Sequence, residues 1–348
     1  MKKLFIAGFA FVSVALAAAT ALNLEGATKL ALERNPDLAT SRATLANARA
    51  DLVVKDADPT TLVVPLLQAK NTVTLNTVQL EAQKLTVFSS VLTAYVNLFE
   101  AQENLGVLEA QAALDVRNLE VAKAKLAARN GTALDVSKAE STLSSSRQSL
   151  ADAKAQIPVL SNRLELVTGA KGDLEASDGL ARMDVKLDSV ALEAGLETRI
   201  SGVLQAAQNV AVADLNVKLS DNDFTPLNTL RDNQAQLENA KRSLETTKAN
   251  AVTTLRDAIR SASNSKERIA ISTKDLDNAK SNLEQDQARF KGGSISRISL
   301  QQTELAFTKA KYSQTQAINA YWRSLATVST ASGVDVLGLV TKLGGGDK

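Results

Sequence analysis

The sequence predicts an all-α protein of long antiparallel coiled-coil helices arranged as two tandem repeats. Three observations predict it. Residues 227–291 contain neither Gly nor Pro, and residues 66–130 contain only Gly106. Apolar residues recur every seven positions along both stretches. The two apolar stripes coincide at a constant offset of 164 residues.

The stripes carry the strongest signal. In the later stretch Leu230, Leu237, Leu244 and Ala251 recur every seven. The stripe then skips four to Leu255 and resumes through Ala262, Ile269, Leu276, Leu283 and Phe290. In the earlier stretch it runs Leu66, Val73, Leu80 and Val87, skips four to Val91, then continues through Leu98, Leu105, Ala112, Leu119 and Leu126. Even the stutter falls at the same place. Heptads define a left-handed supercoil, and a four-residue stutter relaxes it locally. A continuous helix of this length spans roughly 100 Å. The offset extends to the following helices, where Val136, Leu143, Leu150, Ile157 and Leu164 map onto Leu300, Phe307, Gln314, Tyr321 and Val328. The second seam is mostly small, with Ala139, Ala153 and Leu160 in one unit and Thr303, Ala317 and Ser324 in the other. Such helices suit neighbours on both sides, as in a ring or layer.

Taken in order, residues 1–21 read as an export signal. Lys2 and Lys3 precede an apolar run, and Ala19-Thr20-Ala21 offers a cleavage site before Leu22. The first repeat, 22–168, opens with a short helix near 25–34 and a middle helix near 36–57. Asn35-Pro36 supplies the latter's N-cap and N1 proline. A break at residues 56–59 precedes the long helix, a turn at 129–132 follows it, and a return helix runs to about 168, with Pro158 predicted to kink it. A linker, 169–188, leads to the second repeat, 189–332. That repeat repeats the pattern with helices near 190–199 and 201–219, a break at 220–223, the long helix, a turn at 291–294 and a return helix. Residues 333–348 are expected to form a flexible tail.

Composition narrows the chemistry. With no His and no Cys, there is no imidazole acid–base pair, thiol nucleophile, zinc finger, haem ligand or disulfide. No catalytic, cofactor-binding or metal site is predicted. Without Lys2 and Lys3, basic and acidic residues balance, which argues against nucleic acid as a partner. Eight Phe, three Tyr and one Trp are too few for the aromatic girdles of a membrane β-barrel. Thr168 to Asp173 lacks the spacing of a phosphate loop. Tyr321 and Trp322 are expected to be packing anchors. The pairs Asp56/Asp58 and Asp221/Asp223 are expected to cap adjacent helices rather than bind Ca²⁺.

Several motifs, in order and duplicated, resemble those of the TolC family of outer membrane efflux proteins. Leu24-Glu25 through Asn35-Pro36-Asp37-Leu38 is similar to the family's opening. Ala94-Tyr95 through Gln102 to Leu105 resembles its "A-Y-x-x-L-x-A-Q-x-x-L" helix. Arg289-Phe290 through Gly292, Ser296 and Ile298 resembles "R-F-x-x-G-x-x-S-x-L", and Gly131 through Leu134-Asp135-Val136 to Ala139-Glu140 resembles its first-repeat partner. The resemblance implies a TolC-like α-barrel formed as a homotrimer across the periplasm, without catalysis. It also implies a membrane β-barrel with two strands from each repeat between the middle and long helices. The chain departs there, because two membrane strands and a turn need about 25 residues and the breaks are far shorter.

The expected function is therefore a passive conduit component of an export or efflux system, located in the periplasm or cell envelope and lacking its own outer-membrane pore. The alternative is a structural spacer or scaffold of the envelope. By the resemblance, Gly131, Thr132, Gly293, Ser294 and Ser296 would dock onto a periplasmic adaptor serving an inner-membrane transporter, and a separate outer-membrane protein would supply the passage.

Overall fold

The computed structural model describes residues 20–344. The export signal therefore lies outside the described residues except for Thr20 and Ala21. Among the described residues there are ten helices and one pair of three-residue strands. The lead helix α1 (Leu24–Arg34) and the middle helix α2 (Pro36–Ala57) precede the long α3 (Val63–Ala127) and its return α4 (Ala133–Thr168). The second unit has α5 (Ser189–Glu193), α6 (Leu196–Arg199), α7 (Ser201–Ser220), the long α8 (Leu227–Lys291) and its return α9 (Arg297–Ser332).

Both long helices have 65 residues and both return helices have 36. Helix α3 starts upstream of Pro65, which fits inside the first turn because its missing N–H has no intrahelical partner there. Pro226 is the N-cap of α8. Asn35 caps α2 as its sequence predicts, its Oδ1 accepting from Asp37 N at 2.9 Å and Leu38 N at 3.3 Å. Helix α4 runs through Pro158. The second lead-in is split rather than continuous. Gly195 stands at the break, and Arg199 folds over it to donate to Leu192 O at 2.5 Å.

The helices form a layer four wide. Towards the turns the order is α4, α3, α9, α8, and towards the opposite end it is α2, α3, α7, α8. The main core lies midway along the long helices. The stutter residues Val91 and Leu255 are both fully buried, as are Leu98 and Ala262 at the next heptad step. A smaller apolar cluster of Val107, Leu114 and Leu305 joins the two hairpins nearer the turns. The stripe thus packs most tightly where α3 and α8 have neighbours on several sides and loosens towards the ends.

Two regions depart from the sequence expectation. The first is a parallel sheet, in which β1 (Thr20–Leu22) pairs with β2 (Leu174–Ala176) and gives the linker a fixed position. From there residues 177–188 run as an extended strap over the core. Tyr95 Oη donates to Asp178 O at 2.8 Å, Trp322 Nε1 donates to Ala181 O at 2.9 Å, and Lys266 pairs with Asp184 at 2.5 Å. Tyr321 and Trp322 are buried, so they are packing anchors with one hydrogen bond to the strap.

The second is the stretch expected to be a flexible tail. Residues 333–344 instead fold back, with α10 (Leu339–Leu343) against α1. Leu337 and Val340 are buried, and Lys342 pairs with Glu25 at 2.8 Å. Sequence reading missed this because a short apolar stretch broken by Gly333, Gly338 and Gly344 carries no heptad signal.

Between α2 and α3 the link comprises residues 58–62, and between α7 and α8 residues 221–226. Strands are absent from both links. Asp58 and Asp221 stand at the C-caps of α2 and α7. Asp58 binds within its own link, accepting from Thr60, rather than capping the following helix.

Candidate functional site: the helix-hairpin turns

The residues singled out for docking lie in two turns that cap the hairpins α3–α4 and α8–α9. Each long helix ends the same way. In the first, Arg129 N donates to Leu126 O at 3.0 Å and Asn130 N to Lys125 O at 2.8 Å. In the second, Gly293 N donates to Phe290 O at 3.0 Å and Ser294 N to Arg289 O at 2.8 Å. This is the Schellman pattern, which satisfies the last carbonyls and requires a left-handed residue after the C-cap. Gly293 fills that position with φ 72°, and Arg129 fills it with φ 60°.

The return helices are capped by hydroxyls. Thr132 Oγ1 accepts from Asp135 N at 3.2 Å, while Thr132 N donates back to Asp135 Oδ2 at 2.9 Å. This reciprocal box satisfies two orphan donors. It holds the Asp135 carboxyl below its ordinary range, first through the Thr132 hydroxyl and then through the Thr132 amide. Ser296 Oγ accepts from Ser299 N at 3.1 Å. Thr132 and Ser296 are thus equivalent N-caps. Gly131 is needed for a different reason, since a Cβ there would meet backbone of Lys125 and Leu126 at 3.3 Å.

The 164-residue offset of the repeats therefore holds through the turns. Geometry pairs Arg129 with Gly293, Asn130 with Ser294 and Thr132 with Ser296. The turns do lie at one end of the molecule, because the α3–α9 contacts that join the hairpins extend to Ile298 beside the second turn. Above that turn, α8 and α9 leave a groove of about 480 Å³ lined by Asp286, Arg289, Gln302 and Thr303 among others. Thr303 Oγ1 donates to Asp286 at 2.6 Å, and Arg289 lies 3.5 Å from the same carboxylate. Arg297 stands over the Phe290 ring at 5.6 Å. The first turn has instead an α3–α4 ion pair, Lys123 to Glu140 at 3.1 Å. The two turns are alike in backbone and unlike in side chains.

Sequence reading missed one buried polar cluster above the first turn. Asp115 is buried, accepts from Ser146 Oγ at 2.5 Å and lies 3.3 Å from Gln111 Nε2, while Lys309 donates to Gln111 Oε1 at 3.1 Å. The cluster ties α9 and α4 through α3. Its signal was weak because a single acid on a heptad flank reads as a solvated face.

The chemistry of these turns is contact and shape. Among the described residues no group of His, Cys, Asp or Glu is arranged to hold a metal ion, and no helix is long and apolar enough to cross a membrane.

Residues 65–170 match the model of the outer membrane efflux protein family. No functionally curated protein matches the sequence. Solved structures with a similar fold include the CmeC outer membrane channel of Campylobacter jejuni, at 14% identity and TM-score 0.66, covering 93% of this chain and 89% of that one. The outer membrane protein VceC of Vibrio cholerae is similar at 15% identity and TM-score 0.61, covering 89% of this chain and 96% of the other. The open MtrE outer membrane channel of Neisseria gonorrhoeae is similar at 15% identity and TM-score 0.59, covering 90% and 89%. Residues 65–170 thus match the outer membrane efflux protein model, and over nearly its whole length the chain has the TolC-like fold.

Proposed function

We propose that this protein is a passive conduit component of an export or efflux system of the cell envelope. Copies associate side by side as a homotrimer and close a helical barrel across the periplasm. The observation that carries this reading is the open layer. Its order leaves α2 and α4 without a neighbour on one side and α8 without one on the other. Val53, Val54, Leu134, Val159 and Leu166 are exposed on the first edge, and Ile271 on α8. Lateral closure onto a second copy covers apolar side chains that the protomer leaves in water. The likeness to outer membrane channels supports the same arrangement.

In this reading the turns at Gly131, Thr132, Gly293, Ser294 and Ser296 face the inner membrane and meet a periplasmic adaptor. The protein reaches the envelope by export, and the short links at the other end leave the outer-membrane passage to a separate protein. Light scattering is expected to give three times the protomer mass, and Val159→Glu with Leu166→Glu is expected to reduce it to one while helicity is kept. Deletion is expected to sensitise cells to exported toxic compounds. A monomeric wild-type protein would sink the barrel.

The links of five and six residues, where the resemblance implies strands, favour a second reading as an envelope spacer. Unchanged drug tolerance with altered envelope spacing on deletion would select it.

A further inference from the structure

The end of the layer opposite the turns carries apolar side chains that the hairpins do not use. Leu62, Val63, Leu219, Phe224 and Leu227 are all exposed, Phe224 at 97%. Both links lie at this one end, since Gln68 near the start of α3, Asn216 near the end of α7 and Gln236 of α8 line a single groove. Val63 and Leu227 open the two long helices and are related by the repeat offset, so each unit presents an apolar side chain there. Clustered exposed apolar side chains mark a contact surface.

Part of the link backbone is already satisfied, although the N-termini of α3 and α8 carry no side-chain cap. Asp58 Oδ1 accepts from Thr60 N at 2.9 Å and Thr60 Oγ1 at 2.7 Å, and Thr61 N donates to Asp58 O at 3.0 Å. Asn222 Oδ1 accepts from Phe224 N at 3.0 Å, and Thr225 N donates to Asn222 O at 3.3 Å. Links closed in this way can enter an apolar medium without stranding those amides.

Charge and size select the occupant. Lys55 pairs with Asp51, Lys70 with Asp56 and Lys218 with Asp214, and Arg231 near the start of α8 is offset by its neighbour Asp232. Asp58, Asp221 and Asp223 form no ion pair among the described residues, so the tip is apolar with surplus negative charge. Five side chains on and beside two short links fall well below the roughly 20–30 residues a side of a stable protein interface. They suffice as anchors in a lipid leaflet. We infer that this tip seats on a zwitterionic phospholipid surface, its apolar side chains beneath the headgroups and its aspartates against the headgroup ammonium groups. An anionic surface would repel the same aspartates.

The inference deepens the conduit reading by giving the barrel's far end a membrane contact. Flotation with vesicles of phosphatidylethanolamine and phosphatidylcholine tests it on the exported protein, with Phe224→Trp as a fluorescent reporter read against the buried Trp322. The expected results are co-flotation and a blue shift of the added Trp. Phe224→Asp and Leu62→Asp, which alter exposed positions and are checked for helicity, are expected to weaken binding on the order of tenfold or more. Adding phosphatidylglycerol is expected to weaken binding, and Asp58→Asn, Asp221→Asn and Asp223→Asn together to remove that penalty. No flotation, or flotation indifferent to Phe224→Asp, would overturn the inference. So would capture of this tip by an outer-membrane protein in place of lipid. Mass measured on the same samples separates the two readings. An oligomer that does not float sinks only the lipid contact, and a monomer that floats sinks only the barrel.

Discussion

Arg129 and Gly293 occupy the same left-handed backbone position, one in each repeat, at φ 60° and φ 72°. Each closes the Schellman turn that ends its long helix. Only one is the residue type that tolerates this conformation without strain. Arg129→Gly is therefore expected to leave the fold intact and to raise stability by up to about 1 kcal/mol. Gly293→Ala is expected to lower it by about 1 kcal/mol. Denaturant unfolding of the two variants checks both signs, and a destabilising Arg129→Gly would mean that the arginine side chain has a partner at this end.

The capping box at Thr132 and Asp135 gives the first turn a pH dependence. The folded carboxyl of Asp135 is held below the ordinary aspartate range by the hydroxyl and amide of Thr132. Its contribution is therefore complete above the ordinary carboxylate range and is lost as pH falls through the lowered value. Asp135→Asn is expected to flatten that part of the stability profile while leaving the profile at neutral and higher pH parallel to wild type. Thermal melts between pH 7 and strongly acidic conditions measure it. Identical acid limbs for both proteins would sink the assignment.

Gly106 interrupts α3 at an exposed position where an added Cβ meets nothing within 4 Å. Its cost is one of backbone entropy alone. Gly106→Ala is expected to stabilise the helix by roughly 0.5–1 kcal/mol. A loss of stability instead would show that another copy of the chain approaches the helix there.

Tyr95 is fixed to the strap by two bonds, donating to Asp178 O at 2.8 Å and accepting from Asp178 N at 3.2 Å. Burial is the main cause raising its phenol pKa. Tyr95→Phe keeps the ring and removes both bonds, so a loss of about 1–3 kcal/mol is expected. Limited proteolysis should then cut first within residues 177–188. Unchanged cleavage would mean that Trp322 and Lys266 hold the strap without it.

The long helices were legible in the sequence because every structural determinant there is local and repeated. Leu255 is buried for the same reason as Val91, and the 164-residue offset announces it. The candidate turns were legible as turns, since Gly and hydroxyl residues between two periodic stretches leave few alternatives. Their backbone conformation was not. The 164-residue offset aligns Arg129 with Gly293, but an arginine carries no mark of a positive φ. Thr132 with Asp135 was visible as spacing, and only the structure closed it into a box.

The sequence by itself determined the helices, their duplication and their register, because heptad spacing and the absence of breakers act within one chain segment. Tertiary structure decided the rest. It placed α9 between α3 and α8, drew residues 20–22 into a sheet with residues 174–176, folded the tail onto α1 and left Phe224 in water. Each of these depends on contacts between residues distant in sequence, where packing geometry rather than local preference sets the energy.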